Sequence, residues 1–199
     1  FEMLSGGTLW RPNNSTMEFS GQMTLARALA LSNNIITIKT MLAVGIEPVI
    51  ALAKKFRISA ELPPYPALAL GCVDTTLKEL AAMFNVFANH GVYVEPYFIE
   101  WVKDDVGRKI YRAQKVRDPI IPARVSGQVA KVLSLGLKRA QQWYADAWQC
   151  EAFGKTGTTN DSRTNCFVGS TPEYTTAIYI GRDDNKAFGY LGLAIFFSL

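Results

Sequence analysis

A chain of 199 residues, 49% hydrophobic and 19% charged, can bury a substantial core, which excludes general disorder and favours one domain or a large part of one. Its formal charge of +4 arises from 21 basic and 17 acidic residues scattered without basic runs, so nucleic-acid arms and basic membrane-surface helices are not expected. No apolar stretch reaches the roughly 18 residues of a membrane span, and the apolar tail at 191–199 is about half that length; nothing in the chain is expected to cross a bilayer.

Residues 1–23 are rich in Gly, Asn, Ser and Pro and read as loop or short strand. TLARALAL at 24–31 predicts a helix that Thr24 can cap. A break follows at Ser32-Asn33-Asn34. Ile35, Ile38, Met41 and Leu42 share one face of a second helix over 35–44, which Gly45 stops. A third helix fits 48–56 with Pro48 at its start, and Pro63-Pro64-Tyr65-Pro66 reads as a rigid connector. The strongest helical pattern spans 76–90, with Leu77, Leu80, Ala81, Phe84, Phe87 and Ala88 on one face and Gly91 behind it.

Beyond Gly91 the period changes to two. Residues 97–103 and 109–112 alternate around Asp104-Asp105-Val106-Gly107, the pattern of a hairpin. An amphipathic helix is predicted over 122–137 and strands over 151–155, 165–169 and 175–180, while 140–149 match neither period. Helices first and strands after fit an α/β layered domain better than an all-helical or all-β one.

Cys72, Cys150 and Cys166 are far apart and His90 is the single histidine, so no metal site and no cofactor are expected. Gly154-Lys155-Thr156-Gly157-Thr158-Thr159-Asn160-Asp161 gathers an ammonium, hydroxyls and glycines at the expected end of a strand. Lysine offers a point charge, the threonine hydroxyls can bind a carboxylate, and Gly157 has no Cβ to block a ligand lying against the strand. The plain alternative is a glycine turn with surface threonines. A phosphate loop would carry a further glycine upstream, but positions 149 and 150 hold Gln149 and Cys150. Ser32-Asn33-Asn34 alone reads as helix capping. Together with a later Lys-Thr-Gly, however, an S-x-N element is the signature of serine acyl-transferases.

Several blocks in order carry a wider likeness: Leu9-Trp10-Arg11-Pro12-Asn13-Asn14, Ala28-Leu29-Ala30-Leu31-Ser32-Asn33-Asn34, Leu68-Ala69-Leu70-Gly71, Phe87-Ala88-Asn89-His90-Gly91, the Lys155 to Asp161 block, Phe167-Val168-Gly169 and Gly181-Arg182-Asp183-Asp184-Asn185. Over nearly its whole length the chain resembles class A penicillin-binding proteins, in the C-terminal part of their transpeptidase domain. The resemblance implies a β-lactamase/transpeptidase-like α+β fold, an antiparallel sheet covered by helices with an all-helical subregion. It implies that Ser32 takes part in proton transfer and that Asn34 holds a substrate amide. Lys155 would support the proton network and the substrate carboxylate, Thr156 and Thr158 would bind that carboxylate against Gly157, and the Thr158 N–H would supply half of an oxyanion hole. Such a donor is typically worth about 10² to 10³ in rate.

The family's nucleophile motif, S-x-x-K, is missing: no serine here has a lysine three positions on. Phe1 and the residues after it lack signal-peptide character. The expectation is therefore a partial transpeptidase domain over 1–199 whose nucleophile lies upstream, and which alone is inactive. Residues 139–149 also depart from the Gly-Thr-Gly-like segment that family members usually carry there. The activity implied for the full protein is D,D-transpeptidation, a 4→3 cross-link between peptidoglycan stem peptides, inhibited by β-lactams. A periplasmic setting, an upstream membrane anchor, a glycosyltransferase domain and contacts with other cell-wall synthesis proteins go with the family. The alternatives are a β-lactamase or D,D-carboxypeptidase, for which no water-activating acidic loop is evident, and a non-catalytic penicillin-binding-like module.

Overall fold

Local side chains set the ends of the helices in the computed structural model, which describes residues 2–5, 8–15, 17, 21–141, 150–159 and 163–187. Thr24 caps α1 (Leu25–Ala30), its Oγ1 accepting the Arg27 N–H at 3.3 Å. Asn33 caps α2 (Asn34–Val44) by accepting the Ile36 N–H at 2.9 Å. Between them Ser32 is left-handed, with φ 53°. Gly45, with φ 97°, ends α2 and opens α3 (Ile46–Lys55), and the two helices bend by 94° there. Helix α3 thus begins ahead of the expected residue 48, because Gly45 supplies the break; Pro48 falls in the first turn, where a missing N–H costs nothing.

The expected connector at 63–66 runs into a short 3-10 turn, Pro66–Leu70, that packs on α2. Helix α4 (Leu77–Ala88) starts in a capping box: Thr76 Oγ1 accepts the Glu79 N–H at 3.2 Å, and the Glu79 carboxylate accepts the Thr76 N–H at 3.0 Å. It stops at Asn89, and Gly91 follows at φ 88°. A side chain at Gly91 would collide with the Ile121 carbonyl oxygen, so both the backbone and the space demand glycine.

In the opening segment β1 (Met3–Ser5) pairs antiparallel with β2 (Thr8–Trp10). Strand β3 (Val92–Val94) pairs with β6 (Arg117–Pro119), and β4 (Trp101–Lys103) with β5 (Lys109–Arg112). The hairpin expected around 104–107 is present, but β4 is shorter than 97–103 and both of its strands are exposed throughout. Its alternation does not bury a face in the described structure. Instead the Lys103 and Lys109 ammonium groups lie 4.9 and 6.0 Å from the Trp101 ring centre, so the hairpin covers its own indole. At the base of this region the Arg57 guanidinium donates to Glu95 at 2.8 Å and to Asp118, and sits 4.8 Å from the Tyr93 ring centre. That cluster ties the end of α3 to β3 and β6.

Helix α5 (Ala123–Gln141) runs four residues past the expected end at 137. Leu133 and Leu137, both 5% exposed and one turn apart, face the core, and the Lys-Arg-Ala-Gln that follows consists of good helix formers. Of the stretch the periodicity could not place, 140 and 141 are therefore helical, and 142–149 lie outside the described residues.

The three-stranded antiparallel sheet follows the order β7 (Phe153–Thr158), β8 (Thr164–Ser170), β9 (Thr175–Gly181). Its registers run from Phe153↔Ser170 to Thr158↔Asn165 and from Thr164↔Gly181 to Ser170↔Thr175. Helix α5 packs on β7, α4 on β8 and β9, and α1 on α5. Phe84, Leu133, Phe153 and Val168 form the buried cluster between helices and sheet, each such side chain contributing roughly 1.5–3 kcal/mol. Phe167 and Leu137 meet in a separate cluster with Ile178 and Ile180. The Phe167 ring lies across the paired glycines Gly154 and Gly169, whose Cβ atoms would each stand 2.7 Å from it. The α/β layered class and the antiparallel sheet covered by helices are thus borne out.

Candidate functional site

The Lys-Thr-Gly segment lies inside β7 rather than at its end. Pairing with β8 continues to Thr158↔Asn165, and beyond it the Thr159 N–H donates to the Thr164 carbonyl at 3.1 Å while Thr159 Oγ1 accepts the Thr164 N–H at 2.9 Å. The sequence reading ended the strand at 155 because Thr-Gly-Thr resembles turn chemistry, and the partner strand overrides that preference. Asn160 and Asp161 lie outside the described residues.

This pairing fixes where the backbone of β7 points. Thr159 hydrogen-bonds to β8, and successive residues of an antiparallel ladder direct their backbone groups to opposite sides. The N–H and C=O groups of Gly154, Thr156 and Thr158 therefore point away from β8, along the outer edge of the sheet. Among the described residues no strand pairs with that edge. Such an edge, whose amides and carbonyls have no partner strand, can take an extended peptide.

Lys155 joins this edge to the helical region. Its Nζ donates to Ser32 Oγ at 2.8 Å and to the Thr156 carbonyl at 2.9 Å. An ammonium has three N–H donors, so one remains. No carboxylate pairs with Lys155 among the described residues. Burial pushes the Lys155 ammonium below its ordinary value near 10.5, since desolvation disfavours the charged form. A partly buried cation with neutral partners and a spare donor can accept an anionic ligand.

Ser32 is presented by the α1–α2 link. Its left-handed backbone costs roughly 1–2 kcal/mol for a residue with a Cβ. It is held by the Ser32 N–H to the Leu29 carbonyl at 3.1 Å and the Asn33 N–H to the Ala28 carbonyl at 2.8 Å. Because Ser32 Oγ accepts from Lys155, its own hydrogen is free to be donated onward.

Asn34, at the first position of α2, is not joined by a hydrogen bond to the Lys155 segment. Its Nδ2 donates to the Asn13 carbonyl at 2.8 Å, while the buried Asn14 side chain accepts the Ile35 N–H at 3.4 Å. The Asn13-Asn14 segment thus docks on the start of α2 and leaves Asn34 its carbonyl oxygen. Thr156 and Gly157 are half-buried and Thr158 is exposed.

One neighbour was absent from the sequence reading. Cys166 pairs directly with Gly157, and a Cβ on that glycine would stand 2.6 Å from its Sγ. Burial pushes the Cys166 thiol up, opposed by the Gly157 N–H and the Lys155 charge. No spacing rule signals this contact, because it depends on the β7–β8 register.

The family model described as the penicillin binding protein transpeptidase domain matches residues 2–190. Penicillin-binding protein 1A of Rickettsia conorii is 31% identical over 203 residues, covering 90% of this chain and 26% of the relative. The protein of the same name from Neisseria meningitidis serogroup A is 33% identical over 200 residues, covering 94% and 24%. The chain spans about a quarter of the length of these relatives. Among solved structures, penicillin-binding protein 1A from Haemophilus influenzae superposes with a TM-score of 0.86 at 24% identity, covering 95% of this chain and 34% of that one. PonA1 from Mycobacterium tuberculosis in complex with penicillin V gives 0.80 at 22% identity, covering 93% and 54%. Those two likenesses carry the fold, and the family model and the relatives carry the kinship. The class A resemblance of the sequence blocks agrees with both, and the chain belongs to the penicillin-binding protein transpeptidase domain family.

Proposed function

We propose that this chain supplies the proton relay and the substrate-binding wall of a serine-type D-alanyl-D-alanine transpeptidase. The observation that carries the reading is the 2.8 Å hydrogen bond from Lys155 Nζ to Ser32 Oγ, which links the two motifs across 123 residues of sequence. In this reading a serine hydroxyl of the complete protein, giving its proton to the lysine of its own S-x-x-K segment, attacks the carbonyl of the penultimate D-alanine. The C–N bond to the terminal D-alanine breaks as the ester forms. Ser32 gives its proton to the departing amine and is resupplied from Lys155, a relay of the kind that contributes about 10² to 10⁴ in rate. The third Lys155 N–H and the Thr156 and Thr158 hydroxyls take the terminal carboxylate beside Gly157, and the edge-facing Thr158 N–H serves the oxyanion. The Asn34 carbonyl oxygen accepts a substrate amide N–H. An amine of a neighbouring stem peptide then attacks the ester, forming the 4→3 amide and freeing the serine.

The attacking serine is assigned to an S-x-x-K segment outside these 199 residues, since none of the serines here has that spacing. β-Lactams would form the same ester through opening of the ring amide. The reading implies a setting in the periplasm or on the outer face of the cytoplasmic membrane for the complete protein, an anchor and a glycosyltransferase domain elsewhere in it, and contacts with other cell-wall synthesis proteins. A hydrolase would need a group to activate water beside the pair, and no carboxylate is bonded to Ser32 or Lys155 among the described residues.

Fluorescent penicillin labelling tests the reading. The complete protein should label, Lys155→Ala should cut the labelling rate about 10²-fold or more, and the isolated 199-residue chain should form no covalent adduct. Full labelling of Lys155→Ala would overturn the assigned site, and an adduct on the isolated chain would overturn the placement of the nucleophile.

A further inference from the structure

A cleft of about 330 Å³ opens at the other end of the sheet. It lies between the C-terminal turn of α4, the strand pair β3–β6 with the residues that join it to the β4–β5 hairpin, and the β8–β9 turn. Thr158↔Asn165 and Phe153↔Ser170 close opposite ends of the β7–β8 ladder, so the cleft, just past Ser170, lies about 17 Å along the strands from Thr158. It is separate from the outer edge where Lys155 meets Ser32.

The lining is chemically specific. Asn85 Nδ2 donates to Thr175 Oγ1 at 3.2 Å, and Asn89 Nδ2 donates to the Val92 carbonyl at 3.0 Å. Both amides spend a donor on the protein and keep a carbonyl oxygen for a ligand N–H. Arg117 and Glu173, both exposed, line the cleft together with Lys115, whose Nζ pairs with Glu100 at 3.4 Å. Among the described residues the Arg117 guanidinium and the Glu173 carboxylate take part in no hydrogen bond or ion pair, with each other or with any other group. Tyr97 and Tyr174, 42% and 72% exposed, add ring faces to the walls. Two opposite charges left unpaired in one recess, with amide acceptors and aromatic faces, match a ligand that carries both charges and peptide N–H groups.

We propose that this cleft is a second, non-reacting site for a short zwitterionic peptide, with Arg117 taking the carboxylate, Glu173 the ammonium, and the Asn85 and Asn89 oxygens the backbone N–H groups. The identity of that peptide rests on the transpeptidase reading: it is a stem peptide with a free side-chain amine and a C-terminal carboxylate. Held there, a strand of substrate stays on the enzyme while another reacts at the Ser32–Lys155 pair.

The test uses the complete protein, first acylated with benzylpenicillin so that the transpeptidase cleft is filled. Nα-acetyl-Lys-D-Ala-D-Ala, which carries one ammonium and one carboxylate, is then titrated by calorimetry. Saturable binding is expected. It should weaken about tenfold or more in Arg117→Ala and in Glu173→Gln, and with the C-terminally amidated probe, as loss of a charged hydrogen-bond partner does, while the rate of penicillin acylation stays unchanged in both variants. Absence of binding to the acylated protein, or binding that both variants retain, overturns the second site and leaves the transpeptidase reading intact. Failure of benzylpenicillin to acylate the protein overturns the transpeptidase reading instead, and with it the source assigned to the peptide.

Discussion

Ser32 carries a backbone cost that glycine would not, since its φ of 53° lies in the left-handed region. Replacing it by glycine should therefore leave thermal stability equal or higher, by up to about 1 kcal/mol once glycine's greater loss of backbone entropy is set against the roughly 1–2 kcal/mol left-handed cost, while acylation by penicillin falls as far as in Ser32→Ala. A parallel loss of stability and activity in Ser32→Gly would assign the hydroxyl a structural role. Lys155 makes the matching case in charge. Burial lowers its affinity for a proton in the folded state relative to the unfolded chain, so the charged form costs stability at neutral pH, and that cost fades as pH rises through the folded value toward the ordinary one. Lys155→Met should accordingly melt no lower than the parent at pH 7, lose its advantage in alkaline solution, and be deficient in acylation. Melting curves at pH 7 and pH 10 check the sign. Both residues were legible in the sequence because each sits in a short motif of fixed spacing. Cys166 was not, because only the strand register puts its sulfur over Gly157.

Among the elements, β7 shows how a glycine pattern encodes packing. Phe167 crosses Gly154 and Gly169 at 2.7 Å from either Cβ position, so Gly154→Ala should destabilise by roughly 1–3 kcal/mol through overpacking. Part of that should return in the double variant with Phe167→Leu, measured as a non-additive denaturant cycle; additive effects would mean that the ring and the glycine do not meet. Helix α4 gives a pH signature. Hydrogen bonds from Ser59 and Thr76 hold the Glu79 carboxyl down at about 2, against an ordinary 4.5. The folded state thus binds this proton less tightly, and the stabilisation is complete above about 4.5 and fades as pH falls toward 2. Glu79→Gln should lower the melting temperature at neutral pH and flatten its fall across that window. Helix positions were readable from their apolar period and caps, whereas the longer α5 and the extended β7 were not. In β7 the pairing of Thr158 with Asn165 keeps the strand going past a Thr-Gly-Thr that locally suggests a turn, and in α5 the good helix formers after Leu137 carry the helix on to Gln141.

At the scale of the whole molecule, helices α1 and α2 carry Ser32 on their link while the sheet carries Lys155, and α5 joins the two by packing on both α1 and β7. The layered class followed from the order of helical and strand periods. The meeting of residues 123 positions apart did not follow from any period, and rested on the family resemblance until the structure brought them together. The β4–β5 hairpin was legible from its alternation around 104–107, but its first strand is shorter than 97–103 and both strands are exposed. The central claim is that Ser32 and Lys155 act as a single relay across the helix–sheet boundary. The most direct measurement is a double-mutant cycle on the rate of penicillin acylation of the complete protein, with Ser32→Ala, Lys155→Met and the double variant. A single relay predicts losses of about 10² or more for each variant, with the double variant no slower than the slower single one. Losses that multiply, or either single variant reacting at the parent rate, would contradict it.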